Sequence, residues 1–462
     1  MNLRPNQIEP VRLGIEFFKK KNPVPSIIVA PTAFGKSLVI AFIAKEIEDK
    51  ILILQPSKEL LAQNFAKYIA LGGTAEIYSA SFGSKRVGSV TYATIGSIKN
   101  IGLRFKELGF TKMIIDESHL YPRNSDSMLG GFLADSGITY VLGLTATPLK
   151  LQSNRDRSGN AYSTLVMLTS RSKKGQFFKE IIYVSQVSEM VELGFWSKLE
   201  YEQYNIDEGK LVYNSTKAEF TEESIQAVYE TNNIEAKIIA KINSLSNRKS
   251  IIVFVPSVAD AKKFAEIVPS SVAIYGDMLS ADRDIAIRKF KRGAIRVVFN
   301  VNVLSVGFDY PELDCIICAR STASLSWFYQ ALGRGTRIAQ HKKDCLIVDF
   351  SGNVKRFGRV EYLFFRKEKI WKLYGEGGKL LTGCPIHQIG EHTQESESKR
   401  EIDKENKKIE DAKIVMPFGK FKGTEIKDLN RGYREWMLAN FSWSERNYNI
   451  KKEILRLKSV QV

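Results

Sequence analysis

Eight residues, Ala30-Pro31-Thr32-Ala33-Phe34-Gly35-Lys36-Ser37, restrict what this chain can fold into more than any other stretch. The apolar run Ile27-Ile28-Val29 precedes them, and an apolar-periodic run from Leu38 to Ile47 follows. That order predicts strand, loop and helix, with Gly-Lys-Ser where the helix begins. Free backbone N–H groups and the positive end of the helix dipole then converge on one point, as a phosphate requires. Lys36 would reach the terminal phosphates, and the Ser37 hydroxyl would hold Mg²⁺. Ala30 occupies the first glycine position of the general pattern, and Ala33 stands where a second glycine is usual.

A chain of 462 residues has room for about three domains, each large enough to bury its own core. Its apolar runs are strand-length and interrupted by charge, which argues against a membrane span. The start, Met1-Asn2-Leu3-Arg4-Pro5, has no apolar signal core, so a cytoplasmic location is expected, in a bacterial cell or a phage host. Four cysteines are too few for a disulfide framework and suit a reducing compartment. Cys315 and Cys318 lie in an apolar run and read as core rather than as metal ligands. The formal charge of +17 points to a polyanionic partner, with nucleic acid the default.

Beyond the loop, apolar strands alternate with helical stretches. Ile51–Leu54 leads to Gln55-Pro56-Ser57-Lys58, and Val90–Ala93 leads to Thr94. Lys112–Ile115 leads to Asp116-Glu117-Ser118-His119, and Val141–Leu144 to Thr145-Ala146-Thr147. Strands spaced by helices predict a parallel sheet, whose ligands gather at the carboxyl ends of the strands. Asp116 and Glu117 have the chemistry of the missing half of a nucleotide site. One carboxylate can hold Mg²⁺ and the other can polarise an attacking water. From Lys150 to about Lys179 the periodicity dissolves, and a basic loop or solvated insertion is expected. A second α/β unit follows without a phosphate loop. It offers Gln330, Arg334 and Arg337, the two arginines spaced to face one side of a helix. The expected domains are 1–185 (first lobe), 186–247 (connection), 248–365 (second lobe), 366–413 (charged linker) and 414–462. The last is a small module whose Phe418, Tyr433, Trp436 and Trp443 suit either a core or a basic stacking surface.

In this order the motifs resemble those of superfamily 2 helicases of the DExH-box type. Leu3–Gln7 is similar to the adenine-reading motif, Ala30–Ser37 to motif I, and Gln55–Leu60 and Thr94–Ile98 to motifs Ia and Ib. Asp116–His119 resembles the DExH box, Thr145–Thr147 motif III, Val303–Asp309 motif V and Gln330–Arg337 motif VI. Lys58–Asn64 and Gly307–Pro311 resemble most closely RadD-like repair ATPases and phage branch-migration (UvsW-type) DNA helicases.

The resemblance implies an α/β fold of two RecA-like parallel-sheet lobes in tandem plus a small C-terminal module. It implies ATP and Mg²⁺ bound between the lobes. ATP contacts fall to Arg4, Gln7, Pro31, Thr32, Ala33, Phe34, Gly35, Lys36, Ser37, Gly307 and Asp309, and metal ligation to Ser37 and Asp116. The catalytic set becomes Lys36, Asp116, Glu117, Gln330, Arg334 and Arg337, with His119, Thr145 and Thr147 coupling hydrolysis to movement. Pro56, Ser57, Lys58, Thr94, Gly276, Asp277 and Asn302 would touch the nucleic acid. The implied partner is forked, branched or partial-duplex DNA, acted on by a monomer. RNA as the track, a duplex translocase without strand separation, and a binding scaffold with a slow ATP switch stand as alternatives.

Overall fold

The computed structural model describes residues 1–121, 127–170, 176–304, 307–389, 415–416, 420–441, 443 and 448–459. The chain divides into two compact units: Met1–Met190 with Phe195–His392, and Val191–Gly194 with Thr393–Val462. The first unit holds two parallel sheets, the two RecA-like lobes.

Short β-branched runs such as Ser26–Val29 and Ile51–Gln55 are buried along their whole length, as strands covered by helices on both faces must be. The first sheet has the spatial order Glu180–Val184, Ser26–Val29, Tyr140–Thr145, Lys112–Ile115, Ile51–Gln55, Val90–Thr94, Glu76–Ser79 and Ser84–Lys85. All neighbours pair in parallel except the last two. The second sheet runs Lys198–Gln203, Asp344–Asp349, Cys315–Cys318, Ile251–Phe254, Val297–Asn300 and Ser271–Ile274, parallel throughout. Cys315 and Cys318 are both fully buried in it. Parallel order puts the carboxyl end of every strand on one edge of its sheet, which is where the polar clusters of the sequence fall.

Three segments differ from expectation. The stretch after Lys150 is a hairpin, Leu149–Arg155 paired with Ala161–Met167, in place of a loop. Its apolar anchors, Leu149, Leu165 and Met167, lie near the open end, and polar side chains hold the turn end, where no apolar period marks it. Asn154 Nδ2 donates to Thr164 Oγ1 at 2.9 Å, and the Asp156 carboxylate accepts the turn N–H groups of Ser158 and Asn160. Arg171–Lys174 lie outside the described residues. The connection expected at 186–247 contributes the edge strand Lys198–Gln203 to the second sheet, and its Ile234, Ile238 and Ile242 share a core with Val253 and Phe299. Up to residue 389 the expected linker holds the hairpin Phe364–Lys367/Trp371–Tyr374 and buried Leu381 and Ile386. Residues 390–414 lie outside the described residues.

The second unit has its own small core of Met416, Ile426, Leu429, Met437, Ile450 and Ile454. Phe421, Tyr433 and Trp443 pack against it, and Asn430 caps the helix Arg431–Asn440 by accepting from Tyr433 N at 2.7 Å. Trp436 is half exposed and stacks on Tyr433. Pro417–Gly419 lie outside the described residues. Among the described residues no helix is long and apolar enough to cross a membrane.

Gly143, within the strand Tyr140–Thr145, tests how tightly the first lobe is packed. A Cβ there would lie 2.7 Å from Phe178 Cζ and 2.8 Å from Ser118 Oγ. Gly143→Ala is expected to cost about 1–3 kcal/mol by overpacking. Denaturant unfolding measures this, and an unchanged midpoint would contradict the close packing.

Candidate active site

The phosphate loop leaves the strand Ser26–Val29 and enters the helix Lys36–Lys45 through Gly35, whose φ of 88° is left-handed. No side chain caps that helix start, so its first N–H groups face the loop's concavity. Ala33 also adopts a left-handed conformation, φ 60°, at a cost of about 1–2 kcal/mol for a residue with a Cβ. The residues before the loop brace it. Gln7 Nε2 donates to Phe34 O at 2.6 Å, its Oε1 accepts Arg4 N at 2.8 Å, and Arg4 Nη1 reaches Ala33 O at 3.4 Å. The Arg4 guanidinium lies 4.6 Å over the Phe195 ring. Arg4 and Gln7 thus set the loop's shape, and a Cβ on Gly35 would sit 2.5 Å from Gln7 Nε2.

Beside the loop, Asp116 and Glu117 follow the strand Lys112–Ile115, both buried. Lys36 Nζ pairs with Glu117 Oε1 at 3.0 Å. Asp116 Oδ1 accepts the Glu117 N–H and its Oδ2 accepts Asn64 Nδ2, each at 2.9 Å. Burial and the adjoining Glu117 charge push the Asp116 carboxyl up to about 6. Burial also works against the Glu117 charge, but Lys36 and then His119 hold that carboxyl below its usual range. Glu117 itself is left-handed, φ 44°, a strained backbone held where the chemistry is placed. His119 Nδ1 lies 2.7 Å from Thr145 Oγ1, which also accepts Thr147 N at 3.0 Å. The acidic box and the Thr145–Thr147 turn are therefore joined.

The second lobe closes the site. A Cβ on Gly333 would fall 2.5 Å from Thr32 Cγ2, so only glycine allows this approach. Tyr329 OH accepts the Thr32 N–H at 3.4 Å, and Trp196 Nε1 donates to Thr32 O at 2.8 Å. The helix Leu325–Leu332 stops before the arginines, correcting the expectation that both ride one helix face. The chain leaves the helix through two glycines that are both closely packed: Gly333 on Thr32, and Gly335 where a Cβ would lie 2.5 Å from Cys345 Sγ. Arg334 is pinned by Phe308 O at 2.9 Å and Gln330 Oε1 at 3.0 Å. Burial and the neighbouring Arg337 lower it to about 9, which leaves it charged at neutral pH. Arg337 Nε pairs with Asp309 Oδ1 at 2.5 Å, and Asp309 Oδ2 accepts Gln63 Nε2 from the first lobe at 2.8 Å. Gly307 lies against Leu60 and Ser57.

Three residues on the inner face of the helix Lys58–Ala70 were given no role in the site by the sequence: Gln63 and Asn64, which lie in the Lys58–Asn64 resemblance, and Lys67. Lys67 Nζ donates to Ser37 Oγ at 2.6 Å. Their signal in the sequence is three polar residues at i, i+1 and i+4 within an apolar helix pattern, with Asn64 only 1% exposed.

Several buried polar atoms of the cleft have no hydrogen-bond partner among the described residues: Thr32 Oγ1, Gln55 Nε2, Asn64 Oδ1, Thr147 Oγ1 and Gln330 Nε2. Buried polar groups are seldom left so, and clustered here they fit a polar ligand with its ordered water. The paired buried carboxylates and the Ser37 hydroxyl fit a hard dication.

The residues expected to touch nucleic acid all stand at carboxyl ends of strands. Pro56 and Ser57 follow Gln55, and Ser57 caps the next helix through Leu60 N at 3.2 Å. Lys58 is exposed, and Thr94 Oγ1 bonds Ser97 Oγ at 3.0 Å. Gly276, Asp277 and Asn302 are exposed at ends of the second sheet, and Asn302 accepts Arg320 Nη1 at 2.9 Å.

Two family descriptions match this arrangement. Residues 1–150 match the res subunit of type III restriction enzymes, and residues 233–339 match the helicase conserved C-terminal domain. The first match falls on the first lobe and the second on the second lobe. A provisionally named helicase 22 of a Sulfolobus islandicus filamentous virus is 26% identical over 70% of this chain and 60% of its own length. The provisionally assigned mitochondrial ATP-dependent helicase irc3 of Schizosaccharomyces pombe is 26% identical over 77% of this chain and 58% of its own. The chain thus spans about three fifths of each of these relatives. The DNA 3′-5′ translocase XPB2 of Sulfurisphaera tokodaii is 25% identical over 80% of this chain and 85% of its own. Among solved structures, a fragment assigned to an HsdR subunit of a type I restriction enzyme from Vibrio vulnificus has a TM-score of 0.56 at 18% identity. It covers 76% of this chain and 64% of its own, and the likeness is one of fold.

The raised Asp116 carboxyl gives a signed expectation for the chain with neither metal nor nucleotide added. A carboxyl raised in the folded state binds its proton more readily there than when unfolded. Its contribution to stability is complete below about 4, the unfolded value, and is lost as pH rises through about 6. Asp116→Asn should therefore melt several degrees above wild type at pH 7.5, and the gap should shrink at pH 4.5. Thermal scans at the two pH values check this, and a gap that widens in acid contradicts it.

Proposed function

We propose that the chain is an ATP- and Mg²⁺-dependent DNA motor that unwinds or branch-migrates DNA in recombination, repair or replication. One observation carries the reading: Lys36, the Asp116–Glu117 pair, Arg334 and Arg337 converge from two lobes on one buried cleft. Lys36 and the loop N–H groups would hold the phosphates, and Glu117 would orient and polarise the attacking water. Ser37 and Asp116 would hold Mg²⁺, which supplies charge neutralisation at the phosphates. Arg334, already within the electrostatic reach of Glu117, and Arg337 would stabilise the developing phosphoryl charge from the second lobe. Because the site is split, hydrolysis depends on lobe closure, and the Gly333–Thr32 approach makes closure sensitive to the loop's shape. The His119–Thr145–Thr147 link would pass that change to the strand ends.

The DNA assignment rests on the +17 charge and on the likeness to a relative named as a DNA translocase. Placement near RadD-like or UvsW-type enzymes rests on Lys58–Asn64 and Gly307–Pro311, and we extend it to a monomer working in the cytoplasm. RNA as the track is the second reading. It draws on the rRNA helicase rrp3 of Schizosaccharomyces pombe, 24% identical over 34% of this chain.

The test is ATP hydrolysis with single- and double-stranded DNA and RNA, followed by forked, four-way and partial-duplex DNA scored for products. DNA should stimulate turnover, forked or four-way substrates should be resolved, and Lys36→Ala should abolish stimulated hydrolysis. Stimulation by RNA alone would overturn the DNA assignment, and full turnover in Lys36→Ala would overturn the site.

A further inference from the structure

The helix Lys58–Ala70 runs from the strand end at Gln55 along the floor of the cleft. Its Asn64 links Gln55 Oε1 and Asp116 Oδ2, each at 2.9 Å, which fixes the helix against the acidic pair. One turn further on, Lys67 bonds Ser37 Oγ at 2.6 Å. The other charges that bear on its ammonium are Asp309 and Asp116, which favour it, and Arg337, which opposes it. Two of these partners, Ser37 and Asp116, are the residues assigned to Mg²⁺ above.

Mg²⁺ takes about six oxygen ligands at ~2.0–2.1 Å in a near-octahedral shell and keeps several waters. An ammonium 2.6 Å from the same hydroxyl oxygen stands where that ion or its water shell must be. The two cations would compete for the same hydroxyl oxygen. Nothing in the motif pattern places a lysine here. It arrives only because the helix after the second strand is anchored to Asp116 through Asn64.

We propose that Lys67 is a built-in competitor for the magnesium position, neutralising the Ser37–Asp116 corner and withdrawing when metal-bound nucleotide enters. The proposal rests on the ATP-site reading. Asp309, whose charge already acts on Lys67 and whose oxygens hold Arg337 and Gln63, is the carboxylate that receives the displaced ammonium. A lysine suits the task because its charge rides on a flexible four-carbon stem. Entry of the metal then exchanges one cation for another at a buried carboxylate, so the acidic pair is never left without positive charge.

The test uses the full chain and Mg²⁺ itself as the probe. Mg²⁺ is titrated first without nucleotide, read as a melting-temperature shift, and then with a fluorescent ATP analogue, read as binding. In Lys67→Met the half-saturating Mg²⁺ should fall about tenfold, equivalent to ~1.4 kcal/mol, and Mg²⁺ alone should raise the melting temperature more than in wild type. Lys67→Arg, which keeps the charge, should stay near wild type, and Lys67→Gln guards against a folding failure particular to methionine. Equal half-saturation in wild type and Lys67→Met overturns the proposal. So does weaker binding of the analogue by Lys67→Met in excess chelator, which would mark Lys67 as a phosphate ligand. Failure of the ATP-site reading looks different: wild type would not bind the analogue at all, whatever stands at position 67.

Discussion

Two carboxylates placed side by side and out of water set the terms for everything around them. Asp116 and Glu117 are 3% and 8% exposed, and a buried pair of like charges cannot ionise fully without compensating cations. The fold brings those cations from three places in the chain: Lys36 from the phosphate loop, Lys67 from the next helix, and Arg334 from the second lobe, with Arg337 beside it on Asp309. Each is held by a specific partner, Lys36 by Glu117 and Arg337 by Asp309. The cleft is therefore a balanced charge network, in which adding phosphates and a dication must redistribute the existing pairs. Under the proposed function, that redistribution would couple nucleotide to lobe movement.

Packing makes the network sensitive. Gly333 lies against Thr32 with no space for a methyl group, and Trp196 and Tyr329 fasten the same loop residue from the other lobe. Arg4 and Gln7 brace the loop from behind. Well-packed interfaces switch between discrete arrangements instead of deforming smoothly. A loop held from both sides, carrying a left-handed alanine at position 33, is therefore suited to sensing whether its ligand is present.

Much of this was legible in the sequence because the decisive signals are local. Strands such as Ile51–Gln55 are buried on both faces and so read as apolar runs, and the motifs at Ala30, Gln55, Thr94, Asp116 and Thr145 sit at the strand ends that the parallel order dictates. What escaped depends on distant partners or on polar packing. Asn64 earns its place from Asp116, 52 residues away, and Lys67 from Ser37, 30 residues away. The hairpin 149–167 buries Leu149, Leu165 and Met167 only near its open end, while its turn end is held by Asn154, Thr164 and Asp156. Arg334 and Arg337 lie beyond the end of their helix and are placed by Phe308 O and Asp309, neighbours of which periodicity carries no trace.

The central claim is that the ATP site is shared, with the second lobe supplying charge to the reaction and little to ground-state binding. Comparing turnover and ATP affinity in Arg337→Ala tests it most directly. Loss of an arginine acting on the transition state should lower DNA-stimulated kcat by about 10³-fold or more while the ATP Kd changes only a few-fold. Unchanged kcat, or a loss confined to ATP affinity, would contradict a site divided between the two lobes.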